Sequence, residues 1–346
     1  MAASRCSALT AALHRVPGLS AASADWFCCL ALKSALWESG MDLAFAIENL
    51  LNGLQFGLML FLLAAGLTLV FGIMDVVNLA HGSLYMAGAY FAATFTSLCG
   101  SFWAGLLLSV AATAAVGVLL EMAVFRRLYQ RSHLSQLLAT FALILIFNEL
   151  ARMIWGAQAL TLNTPPVFSR PVELLPGFSY SSFRLFIIGT GLAVAALMYL
   201  IVVKTRLGML VRAGASDREM AITMGIDIAR VFTLLFAFGA ALCALAGTLL
   251  GAILEVQVGM GESILILAFV VIVIGGVGSI RGALVGALLV GMVDTLSRSL
   301  LPAALRAIMA PEAAAGVGPS LASILIYVLM AAVLFFKPRG LFPARG

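Results

Sequence analysis

The residues able to do acid–base, nucleophilic or metal chemistry are few and do not converge. Three histidines, His14, His81 and His133, stand in unrelated segments, and the five cysteines (Cys6, Cys28, Cys29, Cys99, Cys243) show no CxxC or other ligand spacing. No catalytic constellation, metal site or disulfide framework is therefore indicated. Glu149 and Arg152 lie three apart and Asp294 and Arg298 four apart, the spacing at which side chains meet on one helix face. Each is expected to be a structural pair, since neither has the company of a catalytic dyad. No GxxxxGK[ST] occurs, so the chain has no phosphate loop of that type. Neither enzyme activity nor a cofactor is expected.

Three segments remain. In "VVNLAHGSLYMAGAY", Val76 to Tyr90, one asparagine and one histidine sit among small apolar residues. A break near Asp75 to Asn78 fits a helix start with Asp75 or Asn78 as cap, which places His81 in the first turn, followed by Gly82. An ionisable residue at membrane depth marks a pathway or faces a partner. The alternative is a neutral imidazole bonded to a neighbouring carbonyl that fixes the break, and it is favoured because no second titratable group completes a proton relay. A second break is expected in "VIVIGGVGSIRGALVGALLVG", Val271 to Gly291, at Gly275, Gly276, Gly278 and Ser279. A helix interrupted there and resumed at Arg281 gives the discontinuous backbone that transporters place beside a pathway.

A polar segment between two apolar runs, "KTRLGMLVRAGASDREMAITMGIDIARVF", runs from Lys204 to Phe232. Ser216 is an N-cap residue and Gly225 a helix terminator, so a two-turn helix is expected between them. Asp217, Arg218 and Glu219 occupy its start, and Met220, Ala221 and Met224 form a small apolar face. Such a helix is not stable alone in water, so it is expected to dock on another protein.

The elements that position these residues follow from composition. At 346 residues, 63% hydrophobic and 10% charged, with mean hydropathy +1.13, the chain is too apolar for a water-soluble core and needs a bilayer as solvent. An all-α polytopic membrane protein is expected. Apolar runs fall at 48–72, 79–98, 103–124, 135–155, 183–203, 230–253, 263–279, 282–300 and 320–336. The second, seventh and eighth are short or glycine-interrupted, so eight or nine transmembrane helices are expected, some of them broken.

The net charge of +5 sits in short loops and reports orientation, with no nucleic acid implied. Alternate threading gathers Arg126, Arg127, Arg131, Lys204, Arg206, Arg212, Arg218, Arg230, Arg281, Lys337, Arg339 and Arg345 on one face. The positive-inside rule makes that face cytoplasmic, with the C-terminus inside and Met41 outside. Residues 1–40 differ in kind, and their one apolar run, "WFCCLALKSALW", is too short to cross. Translation is expected to begin at Met41, a peripheral extension being the alternative. Residues 41–346 are expected to form one permease domain with its cytoplasmic loop at 204–230.

Four ordered motifs now add up: "GLTLVFGIMDVVNLAHGSLYMAGAY", "RAGASDREMAITMGIDIARV", "GMGESILILAFVVIVIGGVGSIRGALVGALLVG" and the terminal "LFFKPRGLF". From about Met41 onward the chain resembles the LivH/LivM-type permeases of branched-chain amino acid ABC importers, the LivH-like half more closely. The resemblance implies a second, LivM-like permease subunit, two ABC ATPase subunits on the cytoplasmic face, a periplasmic solute-binding protein and the bacterial inner membrane. It implies that Asn78, Ala80, His81 and Gly82 are the signature helix break. The segment opening at Arg212 and containing Ser216, Asp217, Arg218, Ala221, Gly225 and Ile226 looks like the coupling segment to the ATPase. Arg281 departs from the family pattern, which more often has proline or an apolar residue there. Branched-chain or other hydrophobic amino acids, urea and short amides all stay open as cargo. A secondary transporter or channel would need coupled intramembrane carboxylates or a polar filter, and the sequence offers only the two matched pairs.

Overall fold

A computed structural model describes residues 43–74, 76, 78–129, 131–175, 178–206, 208–210, 213 and 218–342. The expected extension at 1–40 and the site candidates Arg212, Ser216 and Asp217 lie outside the described residues. The chain divides into two compact units, Met1–Leu51 and Asn52–Gly346. Of the first, residues 43–51 are described and are helical, with the Asn49 amide donating to the Phe45 carbonyl at 2.8 Å.

Ten helices of six residues or more have defined bounds among the described residues. They are α1 (Leu43–Met74), α2 (His81–Cys99), α3 (Phe102–Leu128, with a π-helical turn at Glu121–Phe125), α4 (His133–Trp155) and α5 (Ser182–Lys204). After these come α6 (Arg218–Thr223), α7 (Ile228–Gly251), α8 (Met260–Gly275), α9 (Ile280–Leu305) and α10 (Pro311–Phe336). Between α4 and α5 a small antiparallel hairpin pairs β1 (Val172–Leu175) with β2 (Phe178–Tyr180). Seven helices, α1, α3, α4, α5, α7, α9 and α10, are long and apolar enough to cross a membrane, and α8 is a shorter apolar helix.

Of the three short or glycine-interrupted runs, the second and seventh form helices of 19 and 16 residues, and the eighth forms an unbroken helix of 26 residues. Its glycines do not interrupt it because they face close neighbours. Gly282 meets Gly275, Gly286 meets the Val271 carbonyl, and Gly291 meets Gly57. In lipid there is no hydrophobic force between helices, so close backbone approach through small residues supplies the packing.

Burial arranges the helices in layers. Leu58 to Ala65 of α1 are all buried, as expected of a helix apolar all round that occupies the centre. In the most apolar window of α1, 83% of residues are buried, against 17%, 22% and 11% in α4, α5 and α10. Those three helices turn most of their surface outward, where hydrocarbon is the solvent. Helix α2 is short but central, packing against α3, α4, α7 and α8.

Candidate functional site

The first break is non-helical backbone inside the bundle. Helix α1 ends at Met74 and α2 starts at His81. Between them Val76, Asn78 and Ala80 are buried. The His81 ring lies against Gly66, two turns before α1 ends, and against Gly239, in the middle of α7. Helix α2 therefore starts within the bundle and not at its rim. Irregular backbone is tolerated there because protein surrounds it instead of lipid.

A Cβ at Gly66 would sit 2.9 Å from His81 Nε2, and one at Gly239 would sit 3.4 Å from Cε1. The imidazole thus occupies a slot that only two glycines leave open. Nε2 lies 3.0 Å from Cys243 Sγ, and the ring also bonds to the Leu63 backbone. His81 joins α1, α2 and α7, and no described carboxylate is hydrogen-bonded to it. Gly82 is fixed by a different contact, since a Cβ there would overlap the Gly261 carbonyl of α8.

The expected cap needs correction. Ala80 occupies the N-cap position and makes no side-chain cap bond. Asn78 stands two residues further back, too far to take the usual N-cap bond to the first-turn amides. It is fully buried, and neither polar atom of its side chain has a hydrogen-bond partner among the described residues. Its backbone carbonyl accepts from the His81 amide at 3.3 Å. Asp75, the other cap candidate, lies outside the described residues.

The second break forms where expected. Gly276 and Gly278 take φ values of 105° and 78°, which L side chains avoid, and Ser279 Oγ caps α9 by accepting from the Gly282 amide at 3.1 Å. The end of α8 is closed by the terminal motif. The Leu341 and Phe342 amides donate to the carbonyls of Ile274 and Gly275, each at 2.9 Å, which satisfies acceptors that a helix end leaves orphaned. Gly278 packs against Gly72 near the end of α1, so the second break touches the helix that leads into the first. Arg281 places its guanidinium 5.8 Å from the centre of the Tyr199 ring, a cation–π contact.

Helix α6 ends as its sequence specifies. The Gly225 amide donates to the Ile222 carbonyl at 2.9 Å and the Ile226 amide to the Ala221 carbonyl at 3.1 Å, with Gly225 at φ 83°. This is a Schellman motif, with Gly225 in the left-handed position it requires. The apolar face differs from expectation at one point. Ala221 is turned inward, 3% exposed and part of the core, whereas Met220, Ile222 and Met224 are 58%, 53% and 76% exposed. Ile226 packs against the same core as Ala221, which seats α6 on its own chain and leaves the other three side chains outward.

The broken bundle with a capped short helix beside it can now be set against known proteins. The profile described as "Branched-chain amino acid transport system / permease component" matches residues 49–334. The chain belongs to this family. It is 28% identical over 307 residues to the high-affinity branched-chain amino acid transport system permease protein BraD of Pseudomonas aeruginosa, covering 85% of this chain and 95% of that protein. To the corresponding LivH protein of Escherichia coli K12 it is 30% identical over 272 residues, covering 74% of this chain and 87% of that one.

One polar cluster of this permease component was not legible in its sequence. Glu121 is fully buried in the π-helical turn of α3. Its carboxylate accepts from Thr233 Oγ1 at 2.7 Å, Tyr129 OH at 3.2 Å and Arg126 at 3.3 Å. Tyr129 OH also reaches Met74 Sδ at 3.7 Å. The cluster ties the end of α1 to α3 and to the second turn of α7, just beyond α6. Glu121 and Arg126 are five apart, which is no pairing distance on an α-helix. The wider π turn brings them together, and such turns are frequent at functional sites. The two pairs that were legible both form, Glu149 with Arg152 at 3.2 Å and Asp294 with Arg298 at 2.8 Å.

Proposed function

We propose that this permease component carries branched-chain amino acids across the bacterial inner membrane, receiving them from a periplasmic binding protein. A second, LivM-like permease chain stands beside it, and two ABC ATPase subunits supply the energy. The observation that carries this reading is α6, a six-residue helix seated on its own core through Ala221 and Ile226, with Met220, Ile222 and Met224 presented outward. A helix so short gains its stability from what it touches, and three exposed apolar side chains beside a polar segment suit a docking cleft. The face carrying α6 is the cytoplasmic one, where the basic residues gather.

Nucleotide binding and hydrolysis in a partner shift the permease between states only through contacts that differ between those states. Rocking of α6 moves the start of α7, and through the Glu121 cluster it moves Met74 and the break that follows. Asn78 gives that break a bias. Its side chain has no hydrogen-bond partner among the described residues, and a buried polar group so placed costs about 1–3 kcal/mol, which a state exposing the amide to water or solute recovers.

Reconstitution of the chain with a LivM-like subunit, ATPases and binding protein in liposomes tests the reading. ATP-dependent uptake of labelled leucine, isoleucine and valine is expected. Uptake of urea or short amides in place of leucine would reassign the cargo. Uptake without the ATPase subunits would replace the importer with a secondary transporter or channel.

A further inference from the structure

An apolar cleft opens between α1, α5 and α7 near the ends of those helices that flank the polar 204–230 segment. Its volume is about 60 Å³, and its walls include Leu69, Ile201, Val202, Val231, Leu235 and Phe238. Leu69 lies within two turns of the end of α1, Ile201 one turn before the end of α5, and Val231 in the first turn of α7. At 1.5 Å per residue these positions are a few ångströms inside the bundle rim, the depth of the upper acyl chain beneath a headgroup. Leu234, which also lines the cleft, is 48% exposed, so the cleft opens sideways toward the surrounding hydrocarbon.

The rim beside it is cationic. Lys204 and Arg206 fall between the wall residues Val202 and Gly208. Both are exposed, and neither joins an ion pair among the described residues. Arg230, next to wall residue Val231, is already paired with Asp227 at 2.8 Å. Two cations without an ion pair among the described residues, at the rim of a laterally open, wholly apolar cleft, match one chemistry in a membrane, an acidic headgroup with an acyl chain beneath it.

We propose that this cleft is a binding site for an anionic glycerophospholipid, with one acyl chain in the cleft and the phosphate held by Lys204 and Arg206. The lipid fills the cleft that α5 and α7 line together with α1. The site depends on neither the cargo nor the ATPase partners, so it stands or falls separately from the proposed function.

The test is the lipid retained by the purified full-length chain in mild detergent, measured by native mass spectrometry after exchange with phosphatidylglycerol or phosphatidylcholine. Retention of phosphatidylglycerol well above phosphatidylcholine is expected. Lys204→Gln with Arg206→Gln, both on exposed side chains, should weaken it about 25-fold, at roughly fivefold per cation removed. Val231→Phe, which fills the cleft and leaves the cations, should lower retention of phosphatidylglycerol as well. Equal retention of the two lipids, or unchanged retention in the double variant, overturns the headgroup assignment. Unchanged retention in Val231→Phe overturns the acyl-chain assignment. Cross-linking of residue 234 to a second permease chain in the native membrane would show protein in place of lipid and overturn both.

Discussion

Replacing Gly225 separates backbone conformation from side-chain contact at the end of α6. Gly225 has φ 83°, and a Cβ added there meets nothing within 4 Å, so any penalty comes from the backbone alone. An L residue in this region loses about 1–2 kcal/mol, Asn being the best tolerated and a β-branched residue the worst. A six-residue helix is near balance between formed and unformed, and about 1 kcal/mol in such a balance changes the ratio roughly fivefold. Val adds the loss of the two capping bonds, each contributing about 0.5–1.5 kcal/mol. Binding-protein-stimulated ATP hydrolysis by the reconstituted complex should fall in the order Gly, Asn, Ala, Val, with faster hydrogen exchange at residues 221–226 in the same order. Full stimulation in Gly225→Val with α6 amides still protected would refute the reasoning. Equal impairment in Asn and Ala would show that a contact of Gly225, and not its φ, is what matters.

Three further substitutions test the interior. Glu121→Ala removes the acceptor shared by Thr233, Tyr129 and Arg126; the Arg126 side chain is 45% exposed, so water takes up its charge and the loss is that of the hydrogen bonds, about 0.5–1.5 kcal/mol each, and thermal unfolding in detergent should shift down, and less for Glu121→Gln. His81→Asn keeps a polar group beside Cys243 and should retain much of the uptake, whereas His81→Leu, with no polar atom and a branched tip against Gly66 and Gly239, should not at equal expression; equal loss in both would give His81 a role in the pathway itself. Gly82→Ala sets a methyl on the Gly261 carbonyl and should abolish folded yield, while Gly316→Ala, with nothing within 4 Å, should be neutral or stabilising by up to about 1 kcal/mol, as read from monodisperse protein recovered.

The features legible in the sequence are those written in local chemistry. Gly225 ends α6, Ser279 caps α9, and the carboxylate–arginine pairs three and four apart form, because each depends on residues within one turn. The features that were hidden depend on distant partners. Ala221 was expected on the outward face, since nothing local shows that α6 lies on its own chain. The partners of Glu121 are hidden because an α-helical count does not bring it to Arg126, and Thr233 is over a hundred residues away. The glycines of α9 mark contacts with distant backbone, Gly282 with Gly275 and Gly291 with Gly57. The terminal "PRGLF" gave no hint that its amides close the end of α8.

Photo-cross-linking from residue 224 tests the coupling assignment most directly. With p-benzoylphenylalanine in place of Met224, irradiation of the assembled complex should give one major adduct, to an ATPase subunit. The same probe at Ala221, turned into the core, should give none. An assembled, transporting complex whose residue 224 labels only lipid, or whose adduct lies on another permease chain, would contradict the assignment and leave α6 a connector.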